Sequence, residues 1–436
     1  MSPIFHEFPS LRSSTIRTLT AILRRRGPFL LTVAALAAVA GAAYTFVYRP
    51  LTTGFPGQEE DFQAYWAAVT AIHQHLFLYD SSRHEVFSSL TGFTYPPFAA
   101  LIFAPLGLLN HHWAQIVFLW IDLACAIAAC IILMATVFPP FRGRTAIGIL
   151  IALTWLPITY NAYHGQVNAL IFLLVVLGFR AYRNGSSIRS AIWIALAAGI
   201  KVSPALLLIL FLLRKEWKAL GAGIATGVGT LLLGIAVLGW KPTHYWFATI
   251  LPELSGQNGW IQNQNFNGVI NRLFNHSVVY IQHPLPIISV LTLLFAVATA
   301  ASLVAMLLRL GSSTPRAREQ QFGIAVMAIL MAGAISWFPH YTLLTVTLIA
   351  LVPMLFTGPS HSGIPTARTF WILVIAGFEL LFPFLATNSY VALSTHHWLP
   401  LQAWNLPFLP VVGLYCAVLA ILDHKRDEPS LAASIA

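Results

Sequence analysis

The stretch SAIWIALAAGIKVSPALLLILFLL, Ser190 to Leu213, decides how this chain is threaded. Its roughly two dozen mostly apolar residues are enough for one bilayer crossing. Yet Arg183 and Arg189 lie just before it, and Arg214, Lys215 and Lys218 follow it. A single crossing would strand one basic cluster on the wrong side, because clustered Lys and Arg stay cytoplasmic. Two half-length helices meeting at GIKVSP, Gly199 to Pro204, return both clusters to the cytoplasm and carry Lys201 to the turn. Glycine and proline at that point favour a break.

The composition agrees with a membrane chain: 58% of the 436 residues are hydrophobic, 9% are charged, and the mean hydropathy is +0.75. These values lie outside the soluble globular range. The net charge of +10 comes from short basic clusters between apolar runs, which set orientation, and nucleic acid is excluded as a partner. Cys125, Cys130 and Cys416 fall in apolar segments without metal-ligand spacing and read as packing residues. Arg24 to Arg26 precede an apolar run, Phe29 to Tyr48, long enough to act as a retained signal anchor.

Further apolar segments fall at 113–137, 146–160, 166–182, 219–239, 286–309, 322–338, 340–357, 369–386 and 405–423. With the hairpin included, the count is about twelve helices in an all-α polytopic protein, and every basic cluster from Arg142 to Arg426 comes out cytoplasmic. The expected organisation is a cytoplasmic segment 1–28, one transmembrane domain 29–424, and a cytoplasmic tail 425–436. Long loops at 49–97 and 240–284, and a shorter one near 387–405, then face outward. The run Phe98 to Leu109, interrupted by Pro105, is too short to cross and reads as re-entrant or as a kinked start to the next helix.

The first outer loop holds Glu59, Glu60 and Asp61 in a chain with only 14 acidic residues. After them Phe62, Tyr65, Trp66, Val69, Ile72 and Leu76 recur at spacings of three and four, the stripe of a helix lying at the membrane interface. Acids at a helix start cap it and complement its dipole. The competing role for one of them is general base, since a hydroxyl attacking a sugar carbon must lose its proton.

The segments DFQAYWAAVTAIHQHLFLYD, FTYPPFAALIFAPLGLL, HGQVNALIFLLVVLGF and GIKVSPALLLILFLLRKEW, taken in order from about Asp61 towards Tyr341, resemble the family 87 glycosyltransferases. That family consists of GT-C-fold membrane enzymes similar to bacterial mannosyltransferases that use a polyprenyl-phosphate sugar. The resemblance implies Asp61 as general base, inversion in one displacement, and a hexose, mannose above all, passing from a lipid-linked donor to a glycolipid or glycan acceptor. It also implies an inner-membrane location with both termini cytoplasmic and the reaction on the outer, periplasmic or extracellular, face. No cofactor and no obligatory metal are expected.

A leaving phosphate needs cationic or hydrogen-bonding groups. Lys201 at the hairpin turn is the first candidate; it could instead snorkel or pair with Asp122 or Glu379. His340, in ISWFPHY, resembles a family histidine that follows a Ser-Trp pair, although here Phe338 and Pro339 intervene. Arg272 could grip a phosphate as a fork. His164, Gln166 and Asn168 of HGQVN, with Asn263 and Asn265 of the second loop, are candidates for sugar or acceptor hydroxyls, or simply caps and loop polar groups. Tyr95 belongs with them as a candidate, beside the architectural Pro96 and Pro97. Asp122 and Glu379, acids inside apolar segments, motivate the rival reading of a secondary transporter or lipid-linked sugar flippase.

Overall fold

The computed structural model describes residues 27, 29–52, 54, 60–79, 92–260, 262–275, 285–310, 314–351, 408 and 411–416. Among these the extended secondary structure is helical. Four helices are long and apolar enough to cross a membrane: Phe29–Thr52, His111–Val137, Trp217–Leu238 and Pro286–Leu310. Ile224, Val228 and Leu232 are exposed one turn apart on the third, and Val290, Leu294 and Val297 on the fourth. Such uninterrupted apolar stripes are what lipid contact requires.

Several predicted spans take a different form. The segment predicted at 146–160 is two helices, Arg144–Thr154 and Leu156–His164, bent by 50°. Trp155 is extended between them, and Pro157 sits in the first turn of the second, where its missing N–H costs no hydrogen bond. The segment predicted at 322–338 is the helix Pro315–Ala332, buried from Ala317 to Met331. Its apolar character serves the protein core. The segments 369–386 and most of 405–423, with Glu379, lie outside the described residues.

The opening hairpin is present. Helix Ser187–Ile200 ends at Lys201, whose backbone is extended, and the chain resumes in the 3-10 turn Ser203–Leu208 and the helix Ile209–Leu213. Both feet stand on one residue: Arg318 reaches the Ser187 hydroxyl at 3.4 Å and Glu216 at 3.5 Å. Around it Arg183 pairs with Glu319, Arg316 with Glu319 and Arg214 with Glu216, forming one charged end of the molecule. Trp217–Leu238 then rises parallel to the first half-helix, Gly223 packing on Ala191 and Leu208 and Gly199 on Thr230. The two glycines permit this approach, since a Cβ at Gly199 would lie 2.9 Å from the Thr230 hydroxyl.

The predicted amphipathic helix is Glu60–His73. Its stripe faces protein: Phe62 and Tyr65 are fully buried, with Phe62 against Phe118 and Tyr65 stacked on Phe103. Leu76 lies beyond the helix and is exposed. Phe98 to Leu109 is the short helix Pro97–Phe103 followed by the 3-10 turn Ala104–Leu108, and it supports the Glu60 helix through His73 Nε2 and the Ala104 carbonyl at 3.1 Å. Glu59 lies outside the described residues, whereas Asp61 falls in the first turn of this helix.

Candidate active site

Three chain reversals converge at the end of the molecule opposite the charged feet. The first is the hairpin turn, where the half-helix stops at Ile200 and Lys201 is left with an extended backbone. Its ammonium donates to Asn168 Oδ1 at 2.9 Å and lies 5.6 Å from the centre of the Tyr95 ring, within cation–π range.

The second is the HGQVN turn. Gly165, with φ +64°, closes the helix Leu156–His164 in the left-handed conformation that glycine adopts without steric cost. The chain then turns directly into the helix Asn168–Arg183. The Asn168 amide N–H, an orphan donor at that helix start, is taken by Asn161 Oδ1 at 3.2 Å. Asn168 Nδ2 donates to Gln166 Oε1 at 2.8 Å, which leaves Asn168 Oδ1 facing Lys201.

The third reversal is Gly333 to Leu343. Here the backbone N–H of Trp337 donates to His340 Nδ1 at 3.2 Å. The same Nδ1 lies 3.2 Å from the Ile335 carbonyl, to which the other tautomer donates. His340 is buried, and its Nε2 has no hydrogen-bond partner among the described residues. A small cavity is lined by Asn168, Lys201, Ser203, Ser336 and His340 together with apolar side chains. It therefore presents an ammonium and a ring nitrogen without a partner among the described residues, His340 Nε2, on one wall set. Asp61 does not line it.

Electrostatics tie these groups to Asp61. Burial lowers the pKa of Lys201, which stands in the turn outside any spanning helix, to about 7, and the Asp61 carboxylate opposes that fall. Burial pushes the His340 pKa well down, and nearby Lys201 pushes it further. The Tyr65 and Tyr95 hydroxyls share a hydrogen bond of 3.0 Å, and Val167 N–H donates to Tyr65 at 3.1 Å. Burial raises both phenol pKa values, and the Asp61 charge raises them further, so both stay protonated donors. Tyr65, one turn after Asp61, thus links the acidic helix to the HGQVN turn.

Other predicted residues sit elsewhere. Arg272 is fully buried, and its guanidinium donates to the carbonyls of Gly259, Trp260 and Asn263, so the fork is turned into its own loop. Asn263 accepts from Ser336 N–H at 3.0 Å, and Asn265 donates to the Gly333 carbonyl. These amides stitch the second loop to the segment carrying His340. His164 is half-buried and packs on Tyr160, with ring centres 4.2 Å apart. Sequence reasoning missed Asn161, Tyr65, Ser203 and Ser336; only the spacing of Tyr65 from Asp61 could have signalled one of them.

The described helices, four of them long and apolar enough to cross a membrane, with a lysine, a histidine and an amide around one cavity, fit the class of polytopic membrane proteins. A family model for glycosyltransferase family 87 matches residues 93–333, more than half of the chain. The chain belongs to glycosyltransferase family 87, and it is a glycosyltransferase. The matched region includes Tyr95, Asn168 and Lys201; Asp61 and His340 lie outside it. Among curated proteins the chain is similar to a polyprenol-phosphate-mannose-dependent alpha-(1-2)-phosphatidylinositol pentamannoside mannosyltransferase of Mycolicibacterium smegmatis, 27% identical over 420 residues, 86% of this chain and 93% of the relative. It is also similar to a polyprenol-phosphate-mannose-dependent alpha-(1-2)-phosphatidylinositol mannoside mannosyltransferase of the same organism, 26% identical over 370 residues, 77% of this chain and 79% of the relative. A Mycobacterium tuberculosis protein of the latter description is 29% identical over 197 residues, 42% of this chain and 45% of the relative.

Proposed function

We propose that this protein transfers a mannosyl residue from polyprenyl-phosphate mannose to a hydroxyl of a glycolipid acceptor of the phosphatidylinositol mannoside kind, at the outer membrane face. In this reading about twelve helices cross or enter the bilayer, both termini are cytoplasmic, and the Glu60 helix lies at the lipid boundary. The acceptor oxygen attacks the anomeric carbon, the bond from that carbon to the phosphate oxygen breaks, and the anomeric configuration inverts. The Asp61 carboxylate takes the acceptor proton, and polyprenyl phosphate departs with the bonding electron pair. Lys201 and the Nε2–H of His340 meet the negative charge that gathers on the leaving phosphate. No metal enters these steps.

The observation that carries the reading is the convergence on Lys201: its ammonium lines one cavity with His340 and is attracted by the Asp61 charge. Donor names among the relatives supply the sugar and the lipid phosphate. The test is transfer from a panel of polyprenyl-phosphate sugars by purified protein, scored as released polyprenyl phosphate. Turnover with the mannosyl donor is expected, and Asp61→Asn, expressed and folded like wild type, should lower it by at least about 100-fold. Full activity of that variant would remove Asp61 from the mechanism.

A further inference from the structure

Asp122 is a buried acid that the proposed mechanism leaves unused. It lies inside the spanning helix His111–Val137 and is 3% exposed. Its Oδ2 accepts from Asn161 Nδ2 at 2.7 Å. In that contact the Asn161 amide turns its N–H to Asp122 and its oxygen away. Asn161 Oδ1 points the other way and accepts the backbone N–H of Asn168 at 3.2 Å, and the Asn168 side-chain Oδ1 holds the Lys201 ammonium at 2.9 Å. Asn161 thus fixes the backbone start of the helix that carries Asn168, while the Asn168 side-chain amide is oriented by Gln166 Oε1, which takes its Nδ2 at 2.8 Å, and by the Lys201 ammonium on its Oδ1.

We infer that Asp122 is a positioning residue for donor binding, acting through Asn161 and Asn168 to hold Lys201 where the donor phosphate is met. The inference rests on the proposed role of Lys201. It gives the intramembrane acid a task inside a transferase, with no coupled proton movement. What the relay needs from Asp122 is an oxygen acceptor at this spot. Asparagine supplies one and leucine does not.

The test compares Asp122→Asn, Asp122→Leu and Asn161→Ala in the full-length protein in detergent. Donor KM should rise about tenfold in Asp122→Leu and in Asn161→Ala with kcat less affected, and stay within about twofold of wild type in Asp122→Asn. In a Lys201→Ala background, Asp122→Leu should add no further loss, since the relay acts only through that ammonium. Independently of turnover, acylation of Lys201 followed by mass spectrometry should quicken severalfold in Asp122→Leu and Asn161→Ala but not in Asp122→Asn. An unchanged donor KM in folded Asn161→Ala, additive losses with Lys201→Ala, or unaltered Lys201 labelling would overturn the inference. A wild type with no transfer from any polyprenyl-phosphate sugar would overturn the functional reading instead, and the labelling comparison would still decide the relay.

Discussion

Lys201 shows how much one side chain can be asked to do at a break between two helices. Burial brings its pKa to about 7 against the pull of Asp61, so the free protein loses the ammonium as pH climbs through that value. A donor phosphate binds the charged form; association above pH 7 must therefore take up a proton, and donor affinity falls with rising pH, by up to about tenfold per unit. Lys201→Arg keeps its charge at any workable pH, so its donor KM should stay level from pH 6.5 to 8.5 while that of wild type rises. A wild-type KM flat over this range would show that the lysine is not the phosphate ligand. Lys201 was legible because a cation beside a break in an apolar run is costly without a use, whereas Asn168 read only as a sugar- or acceptor-binding candidate or a cap, and its contact with Lys201 was not foreseen. Asn161 was not legible, since an asparagine seven residues before Asn168 carries no spacing signal and gains its role only when two helix ends meet.

At the scale of elements, the hairpin at Lys201 depends on close helix approach as much as on charge. A Cβ at Gly199 would meet the Thr230 hydroxyl at 2.9 Å and two of its carbons at 3.0 Å. Overpacking of this kind costs about 1–3 kcal/mol, against about 1 kcal/mol gained by alanine over glycine in a helix. Gly199→Ala should therefore lower the thermal midpoint in detergent and displace Lys201, and adding Thr230→Gly should restore the packing at Gly199. A midpoint equal to or above wild type for the single variant would show that the two helices can part at no cost. The basic flanks made the hairpin readable in advance. They could not reveal that Arg318 bridges Ser187 and Glu216, because that arginine arrives from a helix more than a hundred residues later.

For the whole molecule the consequence is a polarity with two ends. Helix Trp217–Leu238 has 22 residues, about 33 Å at 1.5 Å per residue, a full hydrocarbon thickness. Lys215 and Lys241 flank it and are both exposed. In a background lacking the three native cysteines, Lys215→Cys and Lys241→Cys should react with a membrane-impermeant maleimide from opposite sides, Lys241→Cys from the outside. Labelling of both from one side would undo the orientation on which an outward-facing transfer depends. The amphipathic stripe after Asp61 marked a helix correctly, and its Phe62 and Tyr65 pack against protein. Apolar periodicity reports that a face is hidden from water, and lipid and protein hide it equally well.

Composition, charge placement and the order of apolar runs were sufficient for a helical membrane protein and for the hairpin with Lys201 at its turn, because each is a property of hydrophobicity and charge along one dimension; the family was legible only through the resemblance of particular segments such as HGQVNALIFLLVVLGF and GIKVSPALLLILFLLRKEW. Tertiary structure alone decided which polar groups share a space. It joined Lys201, Asn168 and His340 around one cavity, turned Arg272 and the loop amides onto backbone carbonyls, and connected Asp122 to the site through the Asn161 amide and the backbone of Asn168. Those outcomes turn on hydrogen bonds a few ångströms long between residues far apart in the chain, and directional contacts of that reach leave no period or composition to read.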